Sequence, residues 1–312
     1  MSGLATLTNA APLEDRSRPK TMTTPNPQVA PIPIRHSVSP KRADHWIVTC
    51  ADDAVYDSLL VPWLASLMTL ARWDGNIVVF DYGLSPGHAA VLRDFGLLVE
   101  PVPKRYFVNL DRFLHLAPFA ETHPGIIAQW DADVWFTDTI FELFDDYNRR
   151  EDRRLVCNLD RVFQKSCYWV AREDPAIIEK VRAILEPIIK EQGNVLQCGF
   201  IHGASATLAE FCRYLESLIE TVEYHPEWNS DTVGLNFWYH YNRDRVRIID
   251  QRYNCIPDWG PERRGSHFHL GDRMMRVLHV TSPWRRIQEG VQFSFQQVHP
   301  ELYAAWCKRL GA

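Results

Sequence analysis

At 312 residues and 46% hydrophobic content, the chain is long enough for one large domain or two small ones, with ample apolar material for a core. Its net charge is −5, and the first 43 residues hold six basic side chains against Glu14 and Asp15, so the remaining body is the acidic part. That balance argues against nucleic acid as the main partner, because such binding rests on lysines and arginines that neutralise phosphates. A small anionic ligand in one local basic pocket stays compatible with it.

Residues 1–43 are rich in Pro, Thr, Ser and Ala without apolar periodicity, which predicts a disordered arm; residues 44–312 read as a single domain. From Trp46 the pattern alternates short β-type runs with longer helical ones, the signature of an α/β fold with a mostly parallel central sheet flanked by helices. Strands are predicted at Trp46–Cys50, Asn76–Phe80, Leu97–Val102 and Gly125–Trp130. The longest apolar run, Ser58–Ala71, is interrupted by Pro62 and too short for a membrane span. Ser85 with Pro86 opens a helix ending near Gly96, and Asp174 with Pro175 opens another that reaches Gly193 and is expected to kink at Pro187. Further along come a strand at Gln197–His202, a capping box of Thr207 and Glu210 before a helix over Phe211–Val222, a short strand at Val246–Asp250, and an amphipathic helix over Pro300–Leu310. Seven cysteines without C-x-x-C spacing read as reduced thiols, which together with the missing apolar leader gives a cytoplasmic expectation. Peripheral membrane contact through the basic arm stays open.

Three constellations carry chemistry. Asp131 and Asp133 follow the apolar run GIIAQW, and in a parallel sheet the ligand crevice lies beyond the carboxyl ends of the strands. Their i, i+2 spacing puts both carboxylates on one face of an extended segment, presenting the hard oxygens that Mn²⁺ or Mg²⁺ prefers. A bare D-x-D is equally often an acidic turn, and the preceding buried strand shifts the balance. The second is Leu278-His279-Val280-Thr281-Ser282-Pro283-Trp284-Arg285-Arg286, where His279 could complete a metal shell and Arg285 and Arg286 could neutralise a diphosphate. The third is Thr49-Cys50-Ala51-Asp52-Asp53-Ala54-Val55-Tyr56, where an acid and an aromatic ring could contact a nucleobase, or where Asp52 or Asp53 caps the next helix.

The order T-C-A-D-D-x-x-Y, D-A-D-V, Q-C-G-F-I, D-T-V-G-L-N and L-H-V-T-S-P-W resembles the GT-A glycosyltransferases of glycosyltransferase family 8, the glycogenin and lipopolysaccharide galactosyltransferase type, across residues 46 to 286. The resemblance implies a GT-A, Rossmann-like nucleotide-diphospho-sugar transferase fold. It implies Mn²⁺ on Asp131, Asp133 and His279, and a UDP-sugar donor whose uracil is bound by Asp52 and Tyr56, with Thr49 in the same segment. It also implies that Arg112 approaches the donor near the metal, that Gln197 and Asp231 face the donor sugar, and that the anomeric configuration is retained. The chain departs from the family pattern in having Ala54 and Val55 before Tyr56, Gln197 where Asn is common, and Thr232 where Gln often follows the acid. Asp231 has a plainer reading as the N-cap of its helix.

Two alternatives come from other classes. D-x-D-x-V after a strand is also the signature of a haloacid-dehalogenase-type phosphohydrolase using Asp131, although three strands precede it here. A nucleotide-sugar binding module without turnover would be expected to lack the metal ligands. The acceptor is open among a glycan, a lipid-linked glycan, a protein and a small molecule. Trp228, Trp238, Trp259 and Trp284 are candidates for a sugar platform, as buried aromatics more often are for core.

Overall fold

The computed structural model describes residues 42–160, 165–221, 224–256, 259–280 and 294–312. Its centre is a seven-stranded sheet of β1 (Arg42–Ala51), β2 (Gly75–Asp81), β3 (Leu98–Pro101), β4 (Ile126–Trp130), β6 (Leu155–Leu159), β7 (Leu196–Ala204) and β8 (Val246–Ile248). The spatial order is β3-β2-β1-β4-β7-β6-β8. All neighbours run parallel except β7, which is antiparallel to both β4 and β6. The mostly parallel sheet expected from the sequence is therefore present.

Alternation along β1 shows why both faces need cover. Ile47 and Ala51 pack into one apolar cluster with Trp63 and Leu64 of α1 (Val61–Thr69) and Trp306 of the C-terminal helix Pro300–Leu310. Val48 and Cys50 pack into the other, with Leu110 and Phe113 of the helix Val108–Thr122 and Phe211 of the helix Ser205–Ile219. Side chains of a strand point alternately to its two faces, so a run apolar at every position has to be sandwiched between helices. Each fully buried Leu, Ile or Phe contributes roughly 1.5–3 kcal/mol.

Local signals held where a side chain performs the capping. Ser85 accepts a hydrogen bond from the His88 amide at the start of α2 (Pro86–Asp94). Asp174 caps Ala176 and Ile177, and Gly193, at φ 83°, closes the same helix, Pro175–Gln192, which continues through Pro187. The Thr207 capping box is a correction. That helix starts at Ser205, two residues earlier, and the Thr207 hydroxyl instead donates to the Arg153 carbonyl. The helix Val108–Thr122, which we number α3, fills the gap where a helix was expected between two strands, whereas the strands β5 (Val134–Phe136) and β6 were not predicted. Of the expected arm, residues 1–41 lie outside the described residues, and β1 begins at Arg42. Among the described residues no helix is long and apolar enough to cross a membrane.

Candidate metal and donor site

Asp131 follows the last residue of β4 directly, and its amide donates to the Gly199 carbonyl of β7 at 3.1 Å, which fixes the first turn of the D-A-D segment. The segment then enters β5, which pairs antiparallel with the short strand Val277–His279 in a separate ribbon. The register places His279 opposite Val134, and hence beside Asp133. Nε2 of His279 lies 3.1 Å from Oδ1 of Asp133 and 3.5 Å from Oδ2 of Asp131. Sequence positions 146 residues apart are thus joined by one β-ribbon pairing.

The imidazole is held from behind. Its Nδ1 lies 3.0 Å from Oδ1 of Asn254, an acceptor, so the Nδ1 proton points to Asn254 and Nε2 is aimed at the carboxylates. Asn254 in turn donates to Oε1 of Gln197, whose amide nitrogen sits 3.3 Å from Nδ1 of His279. Gly199 leaves the space for this ring, since a Cβ there would meet His279 Cε1 at 2.3 Å. Burial disfavours the imidazolium, but the adjacent carboxylates of Asp133 and Asp131 outweigh it and push the His279 pKa up to about 9. Burial likewise opposes ionisation of Asp133, and the neighbouring imidazole overcomes it to hold that carboxyl below its ordinary range.

Arg112 of α3 forms the second half of the centre. Its buried guanidinium is ion-paired with Oδ1 of Asp131, lies 3.2 Å from Oδ2 of Asp231, and donates to the Cys198 carbonyl at 3.2 Å. Asn109, one helical turn earlier, donates to Oδ1 of Asp231 at 3.1 Å. Burial raises the Asp231 carboxyl to about 6, with Arg112 opposing the rise. Asp131 therefore bridges the two halves, with Oδ1 turned to Arg112 and Oδ2 to His279.

One ligand atom each from Asp131, Asp133 and His279 lie within 4.8 Å of one another. Two carboxylate oxygens and an imidazole nitrogen suit Mn²⁺ or Mg²⁺, the oxygen-preferring ions. The raised His279 pKa shows that the pocket already favours positive charge at this point. These residues fit the expected cation. Asp131 and Asp133 line a cavity of about 290 Å³ whose wall also carries Asp52, Tyr82, Lys104, Asn109, Arg112 and Trp228.

Not every expected residue reaches that cavity. Asp52 does, while also capping the amide of Val55. Tyr56 is a correction: at 0% exposure it is core, its ring stacked on His88 and its hydroxyl donating to the Leu310 carbonyl, so it cannot stack on a base. Thr49 is another, buried on the strand face shared by Ile47 and Ala51 and absent from the cavity wall. Gln197 is engaged with Asn254 and His279, and Asp231 is buried beneath Arg112, so both support the centre from behind. Asp231 sits in the first turn of the helix Ser230–Tyr241, whose N-cap is Asn229. Arg285, Arg286 and Trp284 lie outside the described residues. Of the other tryptophans, Trp238 is core, whereas Trp228 is 47% exposed on the cavity wall.

Residues missed from the sequence are Asn254, Tyr82, Lys104, Val108 and Asn109. Asn109 had a usable signal, being three positions before Arg112 and so on the same helix face. Val108, four positions before Arg112 at the start of the same helix, shared that signal, whereas Asn254, Tyr82 and Lys104 sit in connections or just past a strand end without a spacing rule.

The sequence matches no family model and no curated protein. Solved structures do match. A galactosyltransferase LgtC, in complex with donor and acceptor sugar analogues, is 17% identical with a TM-score of 0.52, over 83% of this chain and 95% of that one. The bifunctional glycosyltransferase WbbM is 11% identical with a TM-score of 0.53, over 86% of this chain and 52% of that one, so this chain spans about half of it. The fold is that of the GT-A glycosyltransferases, and the resemblance read from the sequence is borne out at the level of the fold.

Proposed function

We propose that this chain is a metal-dependent glycosyltransferase that moves a sugar from a nucleotide-sugar donor, a UDP-sugar, to a glycan, lipid-linked glycan, protein or small-molecule acceptor. The observation that carries this reading is the Asp131, Asp133 and His279 cluster at the carboxyl end of β4, whose two aspartates line a cavity together with Arg112 while His279 stands buried behind them. Ligand crevices of parallel sheets lie at those strand ends.

Asp131, Asp133 and His279 would hold Mn²⁺ or Mg²⁺, which when bound would supply positive charge to a departing nucleotide diphosphate. The protein's own part is positional. Arg112 locks Asp131 so that only one of its oxygens faces the cluster, and Asn254 fixes the His279 tautomer. Lys104 brings a further positive charge to the cavity wall, and the presence of Asp52 on the same wall supports a role in accepting from a base edge. Asp231 lies behind Arg112 with both oxygens engaged, which fits a role in holding Arg112 rather than in attacking the sugar. Retention of configuration is the outcome the family resemblance implies. Free thiols at all seven cysteines support a reducing, cytoplasmic setting.

The fold favours this reading over a phosphohydrolase acting through Asp131, and the guanidinium on Oδ1 of Asp131 makes that oxygen a poor nucleophile. Donor hydrolysis measured with and without Mn²⁺ in the wild type, Asp131→Ala and Asp133→Ala tests it. Metal-dependent turnover should disappear in both variants, and its survival in both would overturn the reading.

A further inference from the structure

A second cavity, of about 270 Å³, runs along the helix Phe141–Arg149, from Glu142 in its first turn to its C-terminal end, and is closed by the turn that follows β8. Arg149, Arg150, Arg247 and Arg252 line it, although the chain as a whole carries −5. Arg149 and Arg150 alone have a plain explanation, since cations favour the last turn of a helix. Arg247 does not, because it arrives from an edge strand nearly a hundred residues later and converges on the same carboxylate.

The ion pairs leave positive charge over. Asp146 accepts from Arg150 at 2.8 Å, Arg247 at 3.3 Å and Arg149 at 3.4 Å. Asp152 is shared by Arg154 at 2.9 Å and Arg247 at 3.1 Å. The cavity wall itself sets four guanidiniums, Arg149, Arg150, Arg247 and Arg252, against the carboxylates of Glu142 and Asp146, an excess of two positive charges, and the outlying Asp152 and Asp250 are each shared with a further arginine, Arg154 and Arg273. Arg149 and Arg150 keep N–H donors in solvent, with side chains 72% and 61% exposed. Guanidiniums recognise phosphate oxygens by paired hydrogen bonds, and the excess equals the charge of a phosphate monoester dianion. Ile249 and Tyr253 on the same wall offer an apolar face to the organic part of such an ester.

We propose that this cleft is a binding site for a phosphate monoester, separate from the metal and donor site. The chemistry is shared by a soluble phosphate ester and by an anionic lipid headgroup. The test uses the full-length chain without metal, titrated calorimetrically with glycerol 3-phosphate, and in parallel by co-sedimentation with phosphatidylcholine vesicles with and without phosphatidic acid. Wild type should bind glycerol 3-phosphate saturably, R149Q/R150Q should bind it at least about tenfold more weakly at an unchanged melting temperature, and UDP should not displace it. Should the double variant melt early, R149E alone serves, with the same tenfold criterion. Co-sedimentation that requires phosphatidic acid and is lost in the variant assigns the site to a lipid headgroup, and its absence assigns it to the soluble ester. The proposal is overturned by no saturable binding, by equal affinity in the variants, or by displacement with UDP.

Discussion

Gly199→Ala isolates the role of His279 without touching any proposed ligand. A Cβ at position 199 would stand 2.3 Å from His279 Cε1, 2.7 Å from its Nδ1 and 2.6 Å from Nε2 of Gln197. Carbon contacts settle near 3.5 Å, so the ring must retreat by about 1 Å. Metal–ligand distances tolerate only about ±0.2 Å, so His279 then leaves the coordination shell. Disturbing the groups that orient a metal ligand lowers affinity roughly 10- to 100-fold, or about 1.4–2.8 kcal/mol, and the variant should show at least that loss. Overpacking also costs about 1–3 kcal/mol of stability, so a melting curve has to accompany the binding curve. The assay is titration of Mn²⁺ into the purified chain, reading free Mn²⁺ by electron paramagnetic resonance. Gly203→Ala is the control on the same strand, where the new Cβ finds its nearest neighbour, the Arg154 carbonyl oxygen, at 3.5 Å. A folded Gly199→Ala protein with wild-type Mn²⁺ affinity would refute the placement of His279 in the metal shell.

Other consequences are equally direct. Asn254→Ala removes the acceptor that fixes the His279 tautomer and should weaken Mn²⁺ binding about tenfold in the same titration, with a stability loss of about 1–3 kcal/mol because Gln197 also loses its buried partner. Tyr56→Phe should cost about 1 kcal/mol of stability through the lost bond to the Leu310 carbonyl while leaving UDP affinity unchanged; a calorimetric loss of UDP binding would restore Tyr56 to the donor site. Burial holds His202 neutral and depresses its pKa to about 3, so the unfolded chain takes up the proton first as pH falls below the ordinary 6.5. Its stabilisation is full above pH 6.5 and declines towards pH 3, by roughly 2 kcal/mol at pH 5. Urea unfolding at pH 7.5 and 5.0 should show that decline in wild type and a smaller one in His202→Gln; equal declines would show that His202 is not the group responsible.

Reading the sequence located the residues whose roles are set by periodicity or by position at a strand end. Asp131 and Asp133 follow a run that is apolar at every position but Gln129, and such a run in an α/β pattern is a central strand with a crevice at its end. Tyr56 failed for a related reason. Its spacing from Asp52 resembles a base-binding motif, but the turn after β1 passes through two short helical segments, Asp53–Val55 and Tyr56–Leu60, that carry the ring inward onto His88. An extra residue in a turn rotates every side chain beyond it, and no pattern of residue types reports that rotation. Asn254 was illegible because its role depends on contact with a histidine 25 positions later, across a loop that only tertiary packing defines.

Charge balance explains why these buried groups share one centre. Burying an isolated carboxylate is prohibitive, and removing one partner of a buried pair costs about 3–5 kcal/mol. Asp131, Asp133 and Asp231 face one permanent cation, Arg112, and the deficit is reduced by a proton on His279. With the proposed divalent ion in place and His279 neutral, three negative charges meet three positive ones. Without a proton on His279 the metal-free centre is two positive charges short of balance, which is why the buried imidazole draws a proton so far above its ordinary pKa. By the same reasoning, Arg112→Ala leaves Asp131 and Asp231 buried without their shared guanidinium. It should destabilise the metal-free protein by roughly 3–5 kcal/mol, and Mn²⁺ should recover part of that loss through Asp131. Melting curves with and without Mn²⁺ decide the point, since a variant as stable as wild type would show that the three carboxylates are not held together by charge.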